Sequence, residues 1–166
     1  MKTMIKNLFI LFVVIATFSS CTGSSSKKAY NVDELMDTIG TQVDKEVTVY
    51  GTVTHVCVHT AKKCFIENDN KDLSIRINAG GIIDVFDRDI IGSKIEAVGV
   101  VKEQRIEKEQ IDETEKTAHE NMDNEEAHEQ CETMLKQVAQ MRAWMEKNNK
   151  DYYANYYIDG IRYKVL

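Results

Sequence analysis

A mainly β chain with added helix, closing as a five-stranded Greek-key barrel, is the fold class that three observations predict. Four segments between residues 47 and 101 alternate or carry β-branched residues, with turn chemistry between them. The fourth echoes the first: setting Gly51 on Gly99 places Val47 on Ile95, Val49 on Ala97 and Val53 on Val101. A long helical stretch, about 107–150, then precedes a late β-forming segment. Three strands, a helical plug, a fourth strand and a late closing strand follow an OB-fold-like plan, here with a helical insertion before the last strand.

The chain opens with residues of a different kind. Lys2 and Lys6 precede an apolar run from Leu8 to Phe18, and Phe18-Ser19-Ser20-Cys21 follows as a small-residue cleavage site. This three-part form is that of a signal peptide, residues 1–20. Its apolar run is too short for the ~30 Å of a bilayer core, so it is a removable leader. The cysteine at the cleavage point resembles the lipobox of bacterial lipoproteins, with Phe18 where that motif usually has Leu. The resemblance implies a lipidated Cys21, palmitate included, as mature N-terminus. Residues 21–29 then form a flexible tether, small and polar from Thr22 to Lys28. The OB-fold domain is expected over 30–166.

Within it, Asn31 can cap a short helix, with Glu34 reciprocating, Leu35, Met36 and Ile39 facing inward and Gly40 closing it. Val47 to Val53 begins a long strand running towards His59. Cys64-Phe65-Ile66 and Leu73 to Ile77 are the next two strands, with Asn68 to Asp72 as the polar turn between them. Gly80-Gly81 breaks the sheet, and Ile82, Ile83, Val85 and Phe86 suggest a short helix or turn plugging one end. Ile95 to Val101 is the fourth strand. The glycines within the first and fourth strands mark a bulge or bend, since glycine inside a strand is otherwise unfavourable.

From Glu107 to Glu132 there are 11 acidic residues against two lysines. The stripe Cys131, Met134/Leu135, Val138, Met141, Met145, with Ala139 and Trp144 alongside, predicts a long helix from about Glu125 to Asn148. A weaker helix precedes it, with a break near Asn121 to Asn124. Tyr152 to Ile158 and Ile161 to Leu166 flank Asp159-Gly160, a pair that predicts a hairpin.

Cleavage leaves 146 of 166 residues, enough for one domain with a core. The mature chain holds 19 lysines and arginines against 27 acids, a balance of −8. That argues against a nucleic-acid partner, because binding to phosphates needs a basic surplus. Export implies an oxidising compartment, where cysteines pair unless they hold a metal. Three remain beyond Cys21, so one is always unpaired.

The stretch from Lys45 to Lys102 resembles small, uncharacterised OB-fold lipoproteins of Gram-negative bacteria. The resemblance is carried by Gly51-Thr52-Val53-Thr54-His55-Val56-Cys57, Lys62-Lys63-Cys64-Phe65-Ile66, Ala79-Gly80-Gly81 and Gly92-Ser93-Lys94-Ile95, and by the ending Tyr152-Tyr153 through Asp159-Gly160. It implies the barrel and an envelope location. It implies no activity, since OB-folds host unrelated functions.

The sharpest candidate site is His55-Val56-Cys57-Val58-His59 facing Cys64. Strand alternation puts His55, Cys57 and His59 on one side if no bulge intervenes. A symmetric turn centred on Thr60-Ala61 pairs Cys57 with Cys64, within disulfide reach. Two thiolates and two imidazoles on neighbouring strands equally suit zinc or copper. Packed free thiols are the third alternative, and all three stay open. His128 and Cys131 share a helix face and form a second soft-ligand pair, joined by His119 only if the helix breaks. Brought to the hairpin, that pair would complete one metal or redox site at the barrel mouth. The plainer reading places Cys131 in the helix core. Lys62, Lys63 and Arg76 with Tyr152, Tyr153, Tyr156, Tyr157 and Tyr163 form a candidate ligand face, on which alternation sends about half the tyrosines inward.

No Gly-rich phosphate loop, His-Glu-x-x-His helix or Gly-x-Ser-x-Gly elbow occurs. The sequence thus describes a non-enzymatic binding lipoprotein of the bacterial envelope. It would be tethered through Cys21, face the periplasm and engage a metal, small ligand or envelope protein. The alternative is a glycan-, oligonucleotide- or protein-interaction module with a structural Cys57–Cys64 disulfide.

Overall fold

The structure, a computed structural model, describes residues 28–166. The signal peptide, Cys21 and nearly all of the tether lie outside the described residues. In chain order the elements are β1 (Ala29–Asn31), α1 (Val32–Thr38), β2 (Glu46–Val56), β3 (Lys63–Glu67), β4 (Ser74–Asn78), β5 (Lys94–Glu107), α2 (Lys108–Glu120), α3 (His128–Asn148) and β6 (Tyr152–Val165). Short 3-10 turns occupy Ile39–Thr41 and Arg88–Ile90.

The strands close a barrel in the order β2-β3-β4-β6-β5, with β5 returning to β2. β4 and β6 run parallel and the other barrel pairs are antiparallel. This is the OB-fold-like Greek key, with the helical insertion between β5 and β6. β1 adds a short parallel strand to the outer edge of β2. Among the described residues, no helix is long and apolar enough to cross a membrane.

β2 serves two partners because it bends. Its first seven residues pair with β5, and Thr52 to Val56 pair with β3. Gly51 sits at the changeover, where a Cβ would lie 2.8 Å from the Glu67 carbonyl and 3.0 Å from Val32. Only glycine admits that approach. The β2 bulge itself falls two residues on, between Val53 and His55. A second bulge lies at Val98/Gly99, where β6 carries Ile161 as the extra residue.

The Asp159-Gly160 hairpin is corrected: β6 runs through the pair without turning. Tyr157, Ile158 and Asp159 pair with β4 on one side and with β5 on the other. With both edges engaged in closing the barrel, no edge is free to fold back on itself.

Val47, Val49, Val53, Val56, Cys64, Ile66, Ile75, Ile77, Ile95, Ala97, Val101 and Ile158 fill the interior. Val32, Leu35 and Ile39 plug the end where the β3–β4 turn lies. Asn31 Oδ1 accepts the Glu34 N–H at 2.7 Å, as the spacing predicts, while the Glu34 carboxylate turns to Lys28 at 3.6 Å instead of reciprocating. The buried Asn68 side chain ties that end together, donating to Asp33 and Asp72 and accepting the Asp72 and Leu73 N–H groups. Phe86, Ile83 and Ile90 plug the opposite end, where the Phe86 N–H donates to the Ala61 carbonyl of the β2–β3 turn.

Beyond Val101 and Ile158, β5 and β6 continue as a two-stranded ribbon on which α2 and α3 pack. Ile111, Val138 and Met145 form a second small core there, with Ile106, Met141, Trp144 and Tyr153 against it. Glu107 and Gln110 form a capping box at the start of α2. Arg142 of α3 reaches Asp112 at 2.7 Å and Glu115 at 2.5 Å on α2. Ala139, expected beside the stripe, is exposed.

Candidate ligand face and the cysteine hairpin

The bulge at Val53/His55 decides the fate of the Cys/His motif. An extra residue in β2 reverses which side chains face inward beyond it. Thr54 and His55 are both exposed, and Val56 is buried. Val56 is therefore opposite Cys64, while the Cys57 N–H bonds to the Lys63 carbonyl at 2.9 Å. The expected Cys57–Cys64 pairing is corrected: Cys64 points into the barrel, Cys57 lies outside it, and both thiols are free.

Their chemistry diverges accordingly. Burial pushes the Cys64 thiol up to about 12. At Cys57 the Thr60 N–H, the Thr60 hydroxyl and the His59 N–H stabilise the thiolate and bring it down to about 7. His59 is exposed in the turn, and the His55 ring sits 5.8 Å from that of Phe65.

The second cluster stays in the insertion. Cys131 is buried in the α2–α3 unit, and His128 Nδ1 lies 2.9 Å from the Met122 carbonyl at the break between the helices. His119 is exposed on α2. The insertion packs on β5 and β6, at the opposite barrel end from the β2–β3 turn. So His128 and Cys131 do not meet His55, Cys57, His59 or Cys64. Among the described residues, no three His, Cys, Asp or Glu side chains come together to hold a metal.

What the fold does bring together is a row across the outer barrel face. His55 pairs with Phe65, Phe65 with Arg76, Arg76 with Tyr157 and Tyr157 with Lys102. Their sequence neighbours Val56, Cys64, Ile66, Ile75, Ile77, Ile158 and Val101 face inward, which turns this row outward. The Arg76 guanidinium carbon lies 4.7 Å from the centre of the Tyr157 ring. Its Nε is buried with no hydrogen-bond partner, and Arg76 makes no ion pair among the described residues. By contrast Lys102 is held by Asp44 at 2.8 Å. An open groove of about 290 Å³ runs beside the row, lined by Thr54, His55, Phe65, Glu67 and Ser74.

Of the expected ligand-face residues, Arg76 lies at the centre of the row, and Lys62 and Lys63 are exposed beside the turn. Tyr156 is displaced from that role. It packs on the barrel core with its hydroxyl near Gly40, and burial together with the Glu103 carboxylate pushes the phenol up to about 12. Tyr157, expected among the same tyrosines, stands on the row beside Arg76, and Phe65 joins it from β3. Phe65 was not in the expected set, and only the β3–β4 register brings it to Arg76.

No protein-family model matches this chain, and no curated protein does so either.

Proposed function

We propose that this chain is a non-enzymatic OB-fold lipoprotein of the bacterial envelope that binds a short anionic saccharide on the outer face of β2, β3, β4 and β6. The observation that carries the reading is Arg76, unpaired and set between the aromatic rings of Phe65 and Tyr157. Aromatic faces accept the C–H side of sugar rings, and a guanidinium takes a carboxylate or phosphate through two parallel hydrogen bonds. This is also the strand surface on which OB-folds bind oligosaccharides and oligonucleotides.

The overall negative balance of the mature chain disfavours long polyanions and leaves a short ligand with one or two charges. The row consists of recognition groups without a paired nucleophile and base, which supports binding without turnover. Residues 1–21 supply the lipid anchor and the envelope setting.

Calorimetric titration of acidic and matched neutral envelope saccharides tests this. Binding confined to the acidic series, and lost in Arg76→Ala with the fold intact, is the expected result. Equal binding of both series, or affinity unchanged in Arg76→Ala, overturns it.

A further inference from the structure

Among the described residues six large hydrophobic side chains stand exposed: Val58, Ile82, Val85, Ile91, Val165 and Leu166. Four of them, in the turn after β2 and the connection from β4 to β5, sit at one end of the barrel, and Val165 and Leu166 follow where β6 ends beside Lys94. Val58 is in the turn after β2, Ile82, Val85 and Ile91 are in the connection from β4 to β5, and Val165 and Leu166 end β6. Ile82 is 83% exposed, the most of the six.

Backbone and side-chain bonds hold these segments to one another. The Arg88 guanidinium donates to the Val58 carbonyl, the Ile82 N–H to Ile161 at 2.9 Å and the Leu166 N–H to Lys94 at 2.9 Å. An apolar patch presented in this way marks a contact surface.

Two features identify the occupant. Tyr163 links the chain's entry to this end: Ala29 shares a groove with Arg162 and Tyr163, and Tyr163 also lines the groove of Ile82, Ile83 and Val85. Seven residue steps from Cys21 to Lys28 reach at most about 25 Å, so a lipid on Cys21 keeps that entry point close to the bilayer. The second feature is charge polarity. The insertion from Lys108 to Asn148 holds 5 basic and 11 acidic residues, −6 of the mature chain's −8, and springs from the opposite barrel end. An anionic membrane surface repels that end.

We infer that the apolar barrel end rests on the lipid surface in which Cys21 is anchored, with the acidic insertion directed away. This rests on the lipid anchoring read from residues 1–21. Asp84, Asp87 and Asp89 interleave with Lys62, Lys63, Arg88 and Arg162 at the same end, so contact is made by the aliphatic side chains and depends little on salt. The row through Phe65, Arg76 and Tyr157 lies on the barrel wall and stays open to solvent in this pose.

The test uses the full chain, lipidated in a bacterial host and reconstituted in phosphatidylethanolamine–phosphatidylglycerol vesicles with brominated acyl chains. The chain's single tryptophan, Trp144, sits in the insertion and serves as the remote control. The added emission of Ile82→Trp should fall at least about two-fold against unbrominated vesicles, while Trp144 of the parent chain is unaffected. Protein that floats with the vesicles but shows no quenching of Ile82→Trp overturns the docking and leaves the anchor standing. Protein that does not float overturns the anchor, and the docking with it. A second copy would be the true occupant if an unlipidated Cys21→Ser chain sediments as a dimer that Ile82→Asp dissociates while quenching is absent, and that result also overturns the inference.

Discussion

Cys64 faces Val56 across the β2–β3 ladder, and Cys57 stands one residue further on with its thiol on the other side of the sheet. One extra residue in β2 separates two cysteines that alternation alone would have joined. Their reactivities should separate as sharply. In the native mature chain, alkylation should modify Cys57 with a midpoint near pH 7, its thiolate held by the Thr60 and His59 donors. Reactivity rises as pH climbs through that value, because the thiolate is the nucleophile. Cys64 and Cys131 should react only after unfolding. Recovery of a Cys57–Cys64 disulfide from the folded chain would contradict the register.

The Cys64 site is apolar, and its neighbours offer the thiol nothing polar in return. Cys64→Ser should lower stability by about 1–3 kcal/mol, since it buries a hydroxyl without a partner. Cys64→Ala should behave as a simple loss of volume. Urea unfolding of the two variants distinguishes them, and a neutral serine would place the side chain in contact with water.

Gly51→Ala should cost about 1–3 kcal/mol, because the new methyl meets the Glu67 carbonyl at a place where β2 is already fully bonded. Gly92→Ala makes a different control. Its Cβ meets nothing within 4 Å, yet its φ of +87° strains any side chain, so the loss there comes from backbone conformation alone. Thermal melts of both would show whether contact or dihedral dominates.

The helical insertion is held by packing more than by charge. Ile111→Ala should destabilise it by about 2–5 kcal/mol. Arg142→Ala removes two ion pairs whose partners are well exposed, and should cost less than about 1 kcal/mol and fade at high salt. Hydrogen exchange across α2 and α3 reads both.

On the ligand face, Arg76 and Tyr157 act as a unit. Arg76→Ala should weaken acidic-saccharide binding by about tenfold or more, equivalent to about 1.4 kcal/mol. Tyr157→Phe should retain binding, whereas Tyr157→Ala should not. The Arg76→Ala, Tyr157→Ala double variant should lose less than the two single losses combined, because each residue supports the other. Full additivity would show that they bind independently.

Much of the barrel was legible because local chemistry decides it. The Asn31 cap, the four early strands, the polar turn at Asn68 and the helix break at Asn121 each follow from spacing and turn residues within a few positions. The hairpin at Asp159-Gly160 failed for the opposite reason. Its turn propensity is real, but β4 and β5 claim both edges of β6, and pairing along a whole strand outweighs one favourable dipeptide.

What the sequence by itself determined is the set of elements and most of the inward-facing apolar residues, because both follow from local spacing. What only the tertiary structure decided is which outward-facing residues meet. His55, Phe65, Arg76 and Tyr157 are scattered along the chain from 55 to 157 and become neighbours solely through the register of four strands. The place of His55 in that row depends on the bulge in β2, because a shift of one residue sends every side chain beyond it to the other face.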